Sequence, residues 1–568
     1  MKKYLLYAGA VLLGMTTLKA QVSEGGIPVS FKKSWNSFQV NHQVVSLQAP
    51  DTEQLSIEDQ QEDLKSKPYR VGVIIPVNLN PENSGTWYEL EDGSQVWRLS
   101  ITAENAKALG LYFSKDIQLP TGAELFVYNK NKKQILGAYT SNTPTFRAME
   151  MVQGDLLTIE YFAPKGTYLR PEIAIGEVAY FYRGVQDHVG VYSDNNFSLK
   201  AASCQVDVAC TPERNGWEDQ INSVVHYSFN QGGSVFVCSG AVVNNTAMDF
   251  KPYILSAWHC GEPSVGTNIS AWVWYWNYQK TVCQPSGNGF DPSKGSQTMS
   301  GGQVRASSAN GTLNNPPGDN EVAGSDFYLA ELNSNIPHSY GAYFAGWDRR
   351  DVAATSGVGI HHPAGSAKKI STYSTTLLSS TYNGGATDAH WRVRWAATTN
   401  GHGVTEGGSS GSPIFNQNGR IVGQLSGGLS TCASTSSPDL YGKLYSDWDR
   451  NGTSNQARLK PWLDPGNTGA TSMEGAYANA GTNLKKYSEE LITVYPNPTG
   501  GKLYVELPGG NLQDVIVSLF DMSGKQLFSE IISGTELYEL NLTDVSTGVY
   551  HLTIQSGEEI FRVKVSRQ

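Results

Sequence analysis

Gly407-Gly408-Ser409-Ser410-Gly411-Ser412-Pro413 is the stretch on which the reading of this chain turns. In a Gly-x-Ser-Gly turn the glycines allow backbone conformations that other residues resist. The N–H groups of the turn can then converge on one point beside the serine hydroxyl. Glycine-serine clusters are common in loops, so the stretch gains weight only from what lies upstream. Ala257-Trp258-His259-Cys260 supplies a histidine, and Ser325-Asp326-Phe327-Tyr328-Leu329 supplies an aspartate at the head of a short apolar strand. A serine hydroxyl is a poor nucleophile at neutral pH because its proton must leave as it attacks. A neutral imidazole can accept that proton, and a buried carboxylate fixes the imidazole's tautomer. The expected roles are Ser410 as nucleophile, His259 as general base and then acid, and Asp326 as orienter. The N–H groups of Gly408 and Ser410 are the expected oxyanion donors.

Other residues compete for these roles. Aligning Gly-x-Ser-Gly puts Ser409 in the x position and Ser410 at the attacking one. His361-His362 has the look of a metal pair, but adjacent strand residues point to opposite faces, which favours a structural role. His402 is flanked by glycines and reads as a loop residue. Asp319 follows Pro316-Pro317-Gly318 and reads as a turn, and Asp348 precedes Arg349-Arg350-Asp351 rather than an apolar strand.

The 568 residues exceed one core and imply three to four domains. Fifty-nine glycines and 29 tyrosines favour short strands and turns, an all-β class. The net charge of −10 argues against nucleic acid or an anionic membrane surface as partner. Met1-Lys2-Lys3, the apolar run Leu5 to Met15 and Leu18-Lys19-Ala20 read as a signal peptide over residues 1–20. That run is too short for a transmembrane segment. All six cysteines, Cys204, Cys210, Cys238, Cys260, Cys283 and Cys432, fall in one central block. In an exported chain an even count implies disulfides, with the pairing left open. No paired CxxC or HExxH occurs, so neither metal nor organic cofactor is expected.

Asp51 to Lys67 is dense in charge and reads as a solvated linker. Residues 69–182 alternate as strands do and carry no catalytic cluster. Residues 21–200 are accordingly read as a propeptide holding a β-sandwich, with a permanent accessory domain as the alternative. The central block spans 201–465, ends in a short helix near Ala457 to Leu463, and is followed by a linker over 466–487. The tail, 488–568, contains Tyr495-Pro496-Asn497-Pro498, a Gly524-Lys525 turn, Gly548-Val549-Tyr550-His551-Leu552 and a basic last strand. As a set these resemble the C-terminal sorting domain of the type IX secretion system. That resemblance implies the secretion machinery as partner and export through periplasm and outer membrane, to a secreted or surface-attached state.

The order His, Asp, Ser resembles that of chymotrypsin-like serine proteases, whose fold is a double β-barrel. The central block resembles more narrowly the bacterial lysyl endopeptidase family of that fold. The matching segments are Cys204-Gln205-Val206-Asp207-Val208-Ala209-Cys210, Ser256-Ala257-Trp258-His259-Cys260, Gly359-Ile360-His361-His362-Pro363-Ala364-Gly365, Val404-Thr405-Glu406, Gly423-Gln424-Leu425 and Asp439-Leu440-Tyr441-Gly442. The resemblance implies disulfides Cys204–Cys432, Cys210–Cys283 and Cys238–Cys260. It implies Asp439 as the acid at the base of the primary specificity pocket (S1) and Trp395 as its wall. It also implies protein or peptide substrates with lysine before the scissile bond. Ser426 stands where lysine-specific members often carry histidine, which leaves Lys/Arg or Arg preference open. Val404, six residues before Ser410, cannot supply a pocket carboxylate. Lys200, just ahead of the first cysteine, is the expected processing site. A reading from another class is a non-catalytic, protease-derived surface adhesin.

Overall fold

A computed structural model describes residues 26–31, 41–62, 68–185 (without 144 and 168), 202–262, 269–283, 297–308, 324–478 (without 383–385) and most of 493–568. The signal-peptide segment, Lys200, Asp319 and the Gly524-Lys525 turn lie outside the described residues. The chain divides into two compact units, residues 1–476 and 477–568.

The first unit is built almost entirely from strands. Its N-terminal part is a sandwich. One layer has the strand order Val44–Leu47, Gln95–Ala103, Leu156–Ala163, Glu124–Asn129, Ile135–Tyr139. The facing layer holds Tyr69–Leu79, Ile175–Phe181, Ala108–Phe113 and Val152–Gln153. Inward residues of both layers, among them Trp97, Leu99, Leu125, Leu109, Leu111, Val178 and Tyr180, form one buried core. At about 25 cal/mol per Å² of apolar surface, such a core is what holds the two layers together.

Two expectations are corrected here. Within the stretch from Asp51 to Lys67 expected as a linker, Thr52–Glu62 forms an α-helix, and residues 63–67 lie outside the described residues. Asp51 Oδ1 accepts the backbone N–H groups of Glu53 and Gln54 (3.1 and 3.0 Å) and so caps the helix. Asp59 anchors it by pairing with Arg70 and Arg183 at 2.8 and 2.9 Å. The linker over 466–487 also begins too early. Ser472–Met473 pairs with Trp347–Asp348, and Arg349 holds the carbonyl of Ala470, so the segment up to the unit boundary belongs with the central block.

The central block supplies two further strand systems. The first comprises Val224–Gln231, Ser234–Val243, Tyr253–Ser256, Val273–Tyr275, Thr298–Ser300, Gly302–Ser307 and Tyr328–Leu332. The second runs Lys369–Tyr373, Gly357–His361, Pro413–Asn416, Ile421–Gly428, Asp439–Lys443, His390–Val393, Leu378–Ser380. The N-terminal sandwich is not a separate body. Its strand Tyr69–Leu79 pairs antiparallel with Ser234–Val243, so one sheet of eleven strands runs through both parts. Disulfides join Cys204 to Cys432, Cys210 to Cys283 and Cys238 to Cys260.

The second unit has three strands (Thr493–Tyr495, Lys502–Glu506, Leu537–Asn541) and four (Gln526–Ile532, Val515–Phe520, Gly548–Ser556, Glu559–Arg567) around Leu503, Val505, Val517, Leu519, Leu540 and Leu552. Among the described residues no helix is long and apolar enough to cross a membrane.

Candidate active site

His259 and Asp326 meet because of a backbone turn just ahead of Tyr328–Leu332. Asp326 has φ of +61°, a left-handed conformation that aspartate tolerates better than most residues. The turn aims its carboxylate at His259. Oδ1 accepts the His259 backbone N–H at 2.9 Å, and Oδ2 lies 2.8 Å from Nδ1. With Asp326 as carboxylate, Nδ1 carries the proton and Nε2 keeps its lone pair. Nε2 is buried and has no hydrogen-bond partner among the described residues. The Cys238–Cys260 bridge fixes the residue next to His259 to the strand Ser234–Val243. By chain-entropy reckoning, closing this loop contributes roughly 3 kcal/mol.

The same strand holds the serine turn. Ser239 N–H donates to the carbonyl oxygen of Ser410 and Ser239 Oγ to that of Gly408, both at 2.9 Å. Gly408 has φ of +90°, and a Cβ there would stand 3.0 Å from the carbonyl oxygen of His362. A side chain is therefore strained at this position on two counts. Gly411 packs against the backbone of Ala257, which brings the turn beside the His259 segment. Ser410 is 1 % exposed.

Ser409 is engaged elsewhere. Its Oγ lies 2.8 Å from His361 Nδ1 and accepts Glu406 N–H at 3.2 Å, while His361 Nε2 reaches Ser371 Oγ at 3.0 Å. His362 Nδ1 faces the carbonyl of Ser366 at 3.0 Å. The two histidines thus serve packing, and no cluster able to hold a metal occurs among the described residues. His402 lies in a loop, and Asp348 pairs with Arg350.

Asp439 is fully buried at the start of Asp439–Lys443. Its Oδ2 accepts Trp395 Nε1–H at 2.7 Å, Thr405 Oγ–H at 2.7 Å and Ser430 Oγ–H at 2.5 Å; Ser430 N–H meets Oδ1 at 3.2 Å. Such donors stabilise a carboxylate away from water. Val404 is apolar core beside it. Ser426 does not join this group. It falls in the register shift between Leu425 and Gly427, and its Oγ lies 3.1 Å from His390 Nε2.

Four participants escaped the sequence reading. Thr405 and Ser430 support Asp439. His390 lies behind Ser426, and buried Asp447 accepts Ser325 Oγ–H at 2.5 Å. Only Thr405 carried a signal, since it lies in the Val404-Thr405-Glu406 segment. Burial pushes the Asp447 carboxyl well above the usual carboxylate range, with Asp326 adding to the effect and the Ser325 hydroxyl opposing it.

Burial also pushes His390 down to about 4, with Lys443 adding to the effect and Asp326 opposing it. The folded pKa is below the unfolded value of about 6.5, so the unfolded chain binds a proton first as pH falls. This contribution to stability is complete above pH 6.5 and is lost between 6.5 and 4, about 3 kcal/mol in all. Thermal unfolding is expected to fall over that window, and His390→Gln to flatten the fall. An unchanged slope would assign the pH dependence to other groups.

Family models match each of the three blocks of the chain. The family model "Lysyl endopeptidase, C-terminal domain" matches residues 199–442, "Lysyl endopeptidase N-terminal domain" matches 46–182, and "Secretion system C-terminal sorting domain" matches 493–566. A lysyl endopeptidase of Pseudomonas aeruginosa is 26% identical over 388 residues, covering 64% of this chain and 74% of that protein. Among solved structures, the thermostable serine protease AL20 from an extremophilic microorganism is 14% identical over 42% of this chain and 97% of its own (TM-score 0.25). Protease Anisep from Arthrobacter nicotinovorans is 18% identical over 43% and 95% (TM-score 0.26). Matched in both its N-terminal and its catalytic blocks, and bearing a secretion sorting domain at its end, the chain belongs to the lysyl endopeptidase family of serine proteases.

Proposed function

We propose that the chain is a secreted endopeptidase that cuts on the carboxyl side of lysine through Ser410, His259 and Asp326. The observation that carries the reading is the His259–Asp326 pair beside the Ser410 turn, with a buried carboxylate, Asp439, at hand for a cationic side chain. Ser410 Oγ attacks the carbonyl carbon as its proton passes to His259 Nε2. The oxyanion formed is met by the N–H groups of Gly408 and Ser410, each such donor contributing about 3 kcal/mol in the transition state. The C–N bond then breaks, and the leaving amine takes the proton from His259. Water repeats the cycle on the acyl-enzyme and restores the serine.

A lysine stem would lie along Trp395 with its ammonium directed at Asp439, since a desolvated cation without a partner is costly. Sequencing the ends of peptides released from a denatured proteome by the purified mature protein tests this. Lysine is expected before the cut, with arginine weaker. A preference for glutamate or large apolar residues there would overturn it.

Residues 21–200 are proposed to be a propeptide removed after Lys200. The sorting domain is proposed to be removed between residues 476 and 488 during export through periplasm and outer membrane, because residues up to the unit boundary are tied to the protease. A secreted chain that still begins at Gln21 would make the N-terminal sandwich a permanent domain.

A further inference from the structure

The strand Tyr69–Leu79 enters the protease sheet at one place. It lies beside Ser234–Val237, with Val73 opposite Ser234, Gly72 opposite Val235, Arg70 opposite Phe236 and Tyr69 opposite Val237. Two residues beyond Val237, Ser239 holds the carbonyls of Ser410 and Gly408. The paired edge thus leads directly to the nucleophile turn, and Tyr69 is the paired residue nearest to it. The Tyr69 ring covers Gly407, where a Cβ would come within 2.9 Å of Tyr69 Cδ2. Gly184, at the exit of the sandwich, packs its carbonyl against Gly365 of the loop that faces Gly408.

This placement is braced from the N-terminal side. The Arg183 guanidinium stacks 4.2 Å from the centre of the Tyr69 ring, and its Nε–H donates to the carbonyl of Arg70 at 2.8 Å. Asp59 on the helix Thr52–Glu62 holds Arg70, Arg183 and the Tyr182 hydroxyl together. Beneath the strand, Val71 shares a core with Val235, Val237 and Tyr275.

A polypeptide that starts at the nucleophile turn and runs antiparallel along this edge follows the course required of the leaving-group half of a substrate. We propose that the strand beginning at Tyr69 is a built-in occupant of that half of the cleft, which keeps the intact chain from accepting substrate. Pro68 then stands where the residue after the scissile bond would stand, since one residue spans about 3.3 Å of extended chain. The proposal rests on the protease reading given above. A proline nitrogen has no N–H, and its ring occupies the space through which a general acid must protonate the leaving nitrogen, so a bond to Pro68 resists cleavage. The residue before it in the sequence is Lys67. In the sequence, the bond that enters this strand is thus a lysyl bond blocked by proline.

The test uses the full chain carrying Pro68→Ala, followed by intact mass. A break between residues 67 and 68 is expected, absent from the wild type and from the Pro68→Ala, Ser410→Ala double variant. A lysyl peptide extending four residues past its scissile bond is expected to be cut at least tenfold more slowly by the intact chain than by the processed one. Asp59→Ala, which loosens Arg70 and Arg183, should narrow that gap. An intact chain as active as the processed one overturns the occupancy. An active enzyme that leaves the Pro68→Ala chain whole at this bond overturns the placement of Pro68. If the processed enzyme cuts only after arginine, the Lys67→Arg, Pro68→Ala chain is the one that breaks, which separates a failure of lysine preference from a failure of docking. A processed chain inactive on every peptide removes the functional reading and the inhibition together.

Discussion

Ser410→Ala is expected to lower peptide hydrolysis by about 10⁶-fold in kcat while leaving the fold intact, the size of loss seen when a triad nucleophile is removed. The turn is held by backbone contacts, Ser239 N–H to the Ser410 carbonyl and Ser239 Oγ to the Gly408 carbonyl, and these survive loss of the hydroxyl. The variant should therefore unfold within about 0.5 kcal/mol of the wild type and no longer react with a fluorophosphonate. Ser409→Ala is the matched control. It breaks the contact with His361 and should cost about 1 kcal/mol of stability while activity persists. If Ser409→Ala were the inactive variant and Ser410→Ala the active one, the register of the turn would be wrong.

Asp439→Asn is expected to reduce kcat/KM for lysyl substrates by about 30- to 5000-fold, the consequence of losing about 2–5 kcal/mol when one partner of a buried, hydrogen-bonded charge pair is neutralised. The geometry sharpens the expectation. Trp395, Thr405 and Ser430 all donate to one oxygen, so an amide must keep its carbonyl there and turn its NH₂ toward the incoming ammonium, donor against donor. Fluorophosphonate labelling of Ser410 should continue, since His259 and Asp326 are untouched. Lysyl cleavage at an undiminished rate would place the pocket's anion elsewhere.

Much of this arrangement could be read from the residues. Alternation at Trp97-Arg98-Leu99-Ser100-Ile101 announces the strand Gln95–Ala103, and Asp326 ahead of Phe327-Tyr328-Leu329 announces both a strand and the residue facing His259. What escaped depends on contacts distant in sequence. The helix Thr52–Glu62 has almost no apolar face, and its charge density suggests a linker. The visible signal was Asp51 followed three residues later by Gln54, a capping pattern that outweighs composition. His390 and Ser430 belong to no local motif; they reach Ser426 and Asp439 through the pairing of Asp439–Lys443 with His390–Val393 on one side and Ile421–Gly428 on the other. The joining of Tyr69–Leu79 to Ser234–Val243 likewise leaves no mark on either strand's own pattern.

That joining also sets an order of assembly. Tyr69 to Val73 precede Ser234 by more than 150 residues and emerge first during synthesis or export. The sandwich can close its core from its own two layers and then present an open strand edge. The later strands of the protease meet a finished template there, so the entropy of closing so long a loop is spent on docking to order already in place. If the N-terminal part is cut away as proposed above, the template goes with it. A protease denatured after that point would have to rebuild Ser234–Val237 without its neighbour, so its persistence is a matter of unfolding rate more than of equilibrium.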